Sequence, residues 1–384
     1  MLSLPTLALW YQRNQSHPVK EKRPAIELHV NLWRRIGRQR REQELNYLDV
    51  GIKILEQRDL GALNLYVPFP AAQCVVEDLA HLLRENEIAS AVFNEVLEVH
   101  PAEGTDDTFY IKQNGNHFLS VHSIDVDRDV EYVTTFPGAA PAGFVIRLGR
   151  EFCSKFHAPG EHYIRFRFKL EAEAAHIFSS DVSNEDGWIL SSTTTSEITE
   201  IMINEVRSIP ESVQRLSKMH DWVAPEINAI HYFLVRDISF DLIASHASFR
   251  KIRRMEPEWD AYLGPDFPIG SARNMLIYHW RKSNGGGDVG DFVTLAKFRR
   301  SKGNVLLYIF LVISLGSIGS GLHSSLSFWL KWRHSTGLAW TDLFFSPNGG
   351  EVVAATFFLI VIAIGLAVVA KRWPMWPIPN VALE

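Results

Sequence analysis

Cysteine is nearly absent from this chain: Cys74 and Cys153 are the two among 384 residues. With no Cys-x-x-Cys pair and no Cys/His zinc spacing, a disulfide framework and a structural zinc ribbon are both excluded. The usual phosphate-binding and hydrolase signatures are missing as well. Gly285, Gly286 and Gly287 are not followed by Gly-Lys-Ser/Thr, so they do not make a P-loop. No Gly-x-Ser-x-Gly occurs, which removes a nucleophile elbow. The chain also lacks an excess of positive charge. Its 39 Lys and Arg against 44 Asp and Glu give a formal net charge of −5, which argues against nucleic acid as a partner of the whole chain. The N-terminus has neither a basic n-region nor a small-residue cleavage site, and is read as a packed or interfacial start.

Possible metal constellations are incomplete. Asp125, Asp127, Asp129 and Glu131 alternate, but Val130 and Phe136 stand where a calcium loop needs glycine and glutamate. The string therefore reads as an acidic strand face. His157, Glu161 and His162 have no zinc-protease spacing, and Pro159 with Gly160 prevents a shared helix face. His220-Asp221 is an isolated dipeptide. No catalytic residue, metal ligand or cofactor is assigned, and the reading leans away from an enzyme. If the chain were an enzyme, His157, His162, Asp125 and Asp127 would be the first residues to look for in a pocket.

What the chain does have is two long apolar runs, residues 305–322 and 352–370, each free of charged residues. At 1.5 Å per residue each is about long enough to span a bilayer core as a helix. The sequence thus predicts a mixed, β-rich α+β head followed by a C-terminal two-helix transmembrane hairpin. The segments are a loosely ordered 1–25, a head over 26–303 that divides into subdomains 26–104 and 105–303, an extracytoplasmic loop 323–351, and a cytoplasmic tail 371–384. Basic residues flank the spans: Lys297, Arg299, Arg300 and Lys302 before, Lys371 and Arg372 after. By the positive-inside rule, both termini and the head are cytoplasmic, in a multi-pass protein of a bacterial inner membrane, with those six residues contacting anionic lipid. Ser314, Ser317, Gly321 and Ser324 recur at helical spacing, and Ala363 and Ala367 lie in the second run. Small residues in that pattern pack helices closely, or line a path between copies of the chain in a homo-oligomer.

Within the head, Val50, Ile52 and Ile54 alternate with Asp49, Gly51 and Lys53, which is strand periodicity. Residues 63–69 read as a second strand and 75–86 as a helix. Residues 109–112 and 117–124 read as strands joined by Gln113-Asn114-Gly115-Asn116, whose Asn and Gly suit a tight hairpin. Residues 162–170 give the best strand, with Ile164, Phe166, Phe168 and Leu170 on one face and Arg165, Arg167 and Lys169 on a solvated one. Thr194-Thr195-Ser196-Glu197 matches a capping box, which predicts a helix ending near Pro210. Residues 275–282 and 291–300 read as a hairpin about the glycine loop. Arg34, Arg35, Arg38 and Arg41 form an arginine cluster, either a solvated helix face or a site for an anionic ligand.

These observations lead to an expected function: an integral membrane protein whose cytosolic head senses or binds an unknown ligand or partner and acts through the hairpin, as a membrane-perturbing effector of a toxic or defence response would. A membrane-tethered enzyme and a passive anchored scaffold are the alternatives.

Overall fold

The computed structural model describes residues 5–14, 22–35, 45–102, 104, 106–134, 143–182, 194–264, 270–285 and 287–301, and, beyond these, residues 309, 312–317, 319–321, 323 and 327. The chain divides into two units, Met1–Ser301 and Lys302–Glu384.

The first unit is β-rich. Its described strands are β1 (Thr6–Arg13), β2 (Ala25–Arg35), β3 (Leu45–Glu56), β4 (Leu60–Val67), β5 (Cys74–Asp78), β6 (Glu98–Pro101), β7 (Thr108–Gln113), β8 (Asn116–His122), β9 (Val130–Thr134), β10 (Phe144–Leu148), β11 (His162–Leu170), β12 (Ser179–Val182), β13 (Thr194–Ile203), β14 (Glu226–Asp237), β15 (Phe240–Ser245), β16 (Lys251–Arg254), β17 (Met275–Ser283) and β18 (Phe292–Ser301). They form two sheets. The first runs β15-β18-β13-β1-β4-β10-β9, with β12 also on β13; the second runs β16-β17-β14-β2-β3-β11-β8-β7-β6, with β5 also on β11. Both are mixed, because β1 lies parallel to β13, and β2 to β14.

Alternation decides how the sheets pack. Ile26, Leu28, Val30 and Leu32 of β2, Leu48, Val50, Ile52 and Ile54 of β3 and Ile164, Phe166 and Phe168 of β11 all join one buried cluster with Leu7 and Leu9 of β1, Leu63 and Leu65 of β4, and Ile201 of β13. The two sheets therefore face each other across that core. Arg34 continues the inward row of β2 and meets Glu197 of β13 at 3.0 Å, while Arg236 of β14 grips the same carboxylate at 2.9 and 2.8 Å. Burial opposes ionisation of Glu197, but Arg236 and then Arg34 outweigh it and hold its pKa down at about 2. Helix α4 (Glu211–Met219) covers the outside of the first sheet, where Val213 and Leu216 pack with Ala8, Tyr66 and Val145.

Several sequence expectations are met. The strands around Val50 and His162 lie where the alternation puts them, and β7 pairs with β8 through a turn with Asn114 and Gly115 at φ +50° and +79°. Others are corrected. The α+β class with a C-terminal transmembrane hairpin gives way to a fold of mixed sheets with few helices. Among the described residues no helix is long and apolar enough to cross a membrane. Crossing takes about 20 consecutive helical residues; within the first run the described residues are 309, 312–317 and 319–321. With the hairpin goes the basis for the inner-membrane, multi-pass placement and for a membrane-perturbing effector. The second run, residues 352–370, lies outside the described residues.

Residues expected to be loosely ordered contain β1, a buried central strand of the first sheet. No division falls near residue 104, since β3 pairs with β11. The capping-box segment is strand β13, because its run of Thr and Ile favours the pleated sheet over the helix. The segment read as a helix over 75–86 opens with β5, and the helix comes later, as α1 (Asn86–Phe93). Finally, β17 and β18 do not pair: they belong to opposite sheets, and the glycine loop carries the chain between them.

Candidate functional site

Apart from Arg34 and Arg236, the inward rows of the second sheet are apolar, but its outward rows are not. His231 of β14 stands beside His29 of β2, which stands beside Gly51 of β3 and, beyond it, Arg165 of β11. The adjacent row brings Phe233, Asn31, Asp49 and Arg167 together in the same way. Short helices cover this face. In α1, Ile88 and Ala89 are buried, and Asn94 ends the helix at φ +56°, a left-handed conformation that Asn tolerates. Helix α5 (Trp259–Leu263) buries Trp259, Tyr262 and Leu263.

Beneath α5 lies a network centred on Asp49, which is fully buried. Its carboxylate accepts from Arg167 Nε (2.7 Å), Trp33 Nε1 (2.7 Å) and Tyr262 Oη (2.7 Å). Burial disfavours its charge, yet Arg167 and Arg165 keep its pKa below the usual carboxylate value. Tyr262 Oη accepts from Arg165 Nε at 2.7 Å, and Arg165 Nη1 donates to Tyr163 Oη at 2.9 Å. Tyr163 in turn lies 3.3 Å from His29 Nδ1. Gly51 makes this possible: a Cβ there would sit 2.1 Å from Tyr163 Oη and 3.1 Å from Arg165 Nη1. A glycine inside a strand commonly marks such a close approach.

Between this floor and α1 opens a cleft of about 410 Å³, within the size range of small-molecule sites. Five cationic side chains line it, Lys53, Arg165, Arg250, Lys251 and Arg253, against two acids, Glu27 and Glu95. Lys53 is paired with Glu161 at 2.5 Å, and Arg253 with Glu256. Arg250 and Lys251 are exposed and have no carboxylate partner among the described residues. Arg165 is 1% exposed, and its Nη2 makes no hydrogen bond, although Asp49 lies 3.7 Å away. Asn31 Oδ1, also on the cleft lining, is a buried acceptor without a partner. Phe93, Phe118, Phe233 and Trp259 supply the apolar part of the wall. His279 stacks on Phe233 with ring centroids 4.3 Å apart. Burial, reinforced by neighbouring positive charge, keeps the three cleft imidazoles neutral. His231 is lowered to about 3, His279 to about 4, and His29 well below its ordinary value. A wider depression across α1, lined by Asn86, Glu87, Ser90 and Glu258 among others, is shallow and carries more acid than base.

The residues singled out in the sequence lie elsewhere. Arg34 is locked into the inter-sheet ion pair, and Arg35 ends β2 as a strand residue, so the expected helix does not begin there; Arg38 and Arg41 lie outside the described residues. Lys297 and Arg299 share one face of β18, and Arg300 lies on the other, over the Phe240 ring at 5.4 Å. Lys302, Lys371, Arg372, Ser324, Ala363 and Ala367 lie outside the described residues. Ser314 and Gly321 are buried and Ser317 is half-buried, whereas Val312, Ile313 and Leu315 are exposed. Asp125 caps the short helix α2 (Val126–Asp129), accepting from the backbone of Asp127 and Arg128. His157 is exposed and close to Ser154 O, while His162 is buried beside His122. The sequence reading placed Arg165 and Arg167 on a solvated face; they are buried instead. It missed Glu27, His29, His231 and His279, whose one local signal is a polar residue at every second position of strands buried on both faces. No model of a known protein family matches this chain, and no curated protein matches it either.

Proposed function

We propose that this chain is a ligand-binding protein whose cleft takes a small phosphate-bearing molecule with a planar ring, about a mononucleotide in size. The observation that carries this reading is the charge of the lining: five cationic side chains stand against two acids, and Arg250 and Lys251 have no carboxylate partner among the described residues. A guanidinium also suits phosphate oxygens better than a flexible ammonium does. Arg250 and Lys251 at the rim add charge that steers an anion inward. Phe93 and the stacked Phe233–His279 pair offer faces for a ring.

Calorimetric titration of the full chain with AMP and with adenosine tests the reading. AMP should bind and adenosine should bind at least about tenfold more weakly, with Arg250→Ala weakening AMP by a similar factor. Equal affinity for the two would sink the phosphate assignment. No binding of AMP, sugar phosphates or inorganic polyphosphate would sink the cleft as an anion site.

A further inference from the structure

The anion reading leaves one part of the cleft floor unexplained. Glu27, His29 and His231 each offer a ligand atom, and these atoms lie within 4.8 Å of one another. Their convergence is set by the sheet: Glu27 and His29 are two residues apart on β2, so they share a face, and His231 is the register partner of His29 on the parallel strand β14. We propose that Glu27, His29 and His231 bind one divalent transition-metal ion of the zinc class, with its open coordination position facing the cleft. Two imidazoles and one carboxylate leave such an ion a free position for an exogenous ligand.

Two features of the surroundings support the assignment. Glu27 has no hydrogen bond or ion pair among the described residues, although it lies in a cleft rich in cations. Both histidines have a partner on Nδ1, Tyr163 Oη for His29 and His279 Nε2 for His231, and Nε2 of each has none among the described residues. That is the arrangement in which an outer partner orients a metal-binding imidazole. A metal on Nε2 of His29 places the ring proton on Nδ1, which then donates to Tyr163 Oη.

Lys53, Arg165 and Arg250 line the same cleft and oppose a bare dication. A phosphate group at the open position offsets that repulsion, so metal and anion should bind cooperatively, each strengthening the other by the same factor. This second claim rests on the anion reading; metal binding itself does not.

The test uses the full-length chain without a histidine tag. Zinc alone is titrated by calorimetry, and cobalt alone by visible absorption, whose ligand-field bands report tetrahedral coordination. One ion per chain is expected. Glu27→Gln and His231→Gln should each weaken zinc at least about tenfold, while exposed His157→Gln leaves it unchanged. No saturable binding in the unmodified chain overturns the proposal whatever the variants do, and so does binding that survives both substitutions. Repeating the titrations with AMP separates the two readings. AMP binding without metal binding overturns the metal site alone. Metal binding without AMP binding leaves the metal site standing and overturns the anion reading.

Discussion

Two groups of histidines on the second sheet are both held neutral, and only one of them is chemically free. His122 and His162 form a closed chain. Thr108 Oγ1 lies 3.0 Å from His122 Nδ1, His122 Nε2 lies 2.9 Å from His162 Nδ1, and His162 Nε2 lies 2.8 Å from Ala158 O. One assignment of protons satisfies every member: threonine donates to His122, His122 to His162, and His162 to the carbonyl. His29, His231 and His279 differ in that His29 and His231 keep a ring nitrogen unused and border a cavity. Burial lowers the pKa in both groups. A perturbed histidine is therefore not the mark of a site here; a ring nitrogen without a partner among the described residues, beside a cavity, is.

Breaking the closed chain should have the largest effect on stability. His122→Ala takes the partners from Thr108 Oγ1 and His162 Nδ1 and opens a cavity, at a cost of about 2–4 kcal/mol, with no change in binding of AMP or zinc. The same chain sets a pH dependence. Burial, then His162 and Lys155, lower His122 to about 3, while the unfolded chain titrates near 6.5. The folded form refuses protons that the unfolded form accepts, so stability is full above about pH 6.5 and falls as pH drops toward 3. Urea midpoints across that range should show a shallower fall for His122→Ala than for the unmodified protein. An equal slope would remove the closed chain as the cause.

Gly51→Ala sharpens the contrast from the other side. Its methyl meets the Tyr163 hydroxyl, so the ring and Arg165 must shift, costing about 1–3 kcal/mol. Unlike His122→Ala, this substitution should also weaken AMP, read as a loss of affinity in the same titration. The smallest stability effect belongs to His231→Gln, expected within about 0.5 kcal/mol by urea unfolding, because the cleft leaves this half-buried ring little to lose.

Alternation was legible in the sequence wherever one face of a strand is apolar, as in β3, β11 and the β7–β8 hairpin. It failed at β13, where Glu197 sits inward because two arginines from the facing sheet receive it. No local pattern reports that distant pairing. The cleft was illegible for a related reason. Glu27 and His231 are more than 200 positions apart, and only the parallel register of β2 with β14 makes them neighbours. Arg165 and Arg167 look like solubility charges until Asp49, Tyr262 and helix α5 are seen above them. Gly51 was the one local clue to that crowding. The apolar runs near the C-terminus show the converse: composition fit for a span was present, but no described helix of the required length accompanies it.

The parallel pairings have a consequence in time. β1 lies beside β13, and β2 beside β14, so each early strand waits for a neighbour made roughly 200 residues later. At ribosomal rates that delay is on the order of 10–40 s. Throughout it, two strands with apolar inward rows have one edge open, and the metal ligands on β2 lack the third contributed by β14. Contacts so distant in sequence also slow folding of the finished chain. Such a protein would depend on chaperones during its synthesis more than its final packing suggests, and its binding site would be among the last features to form.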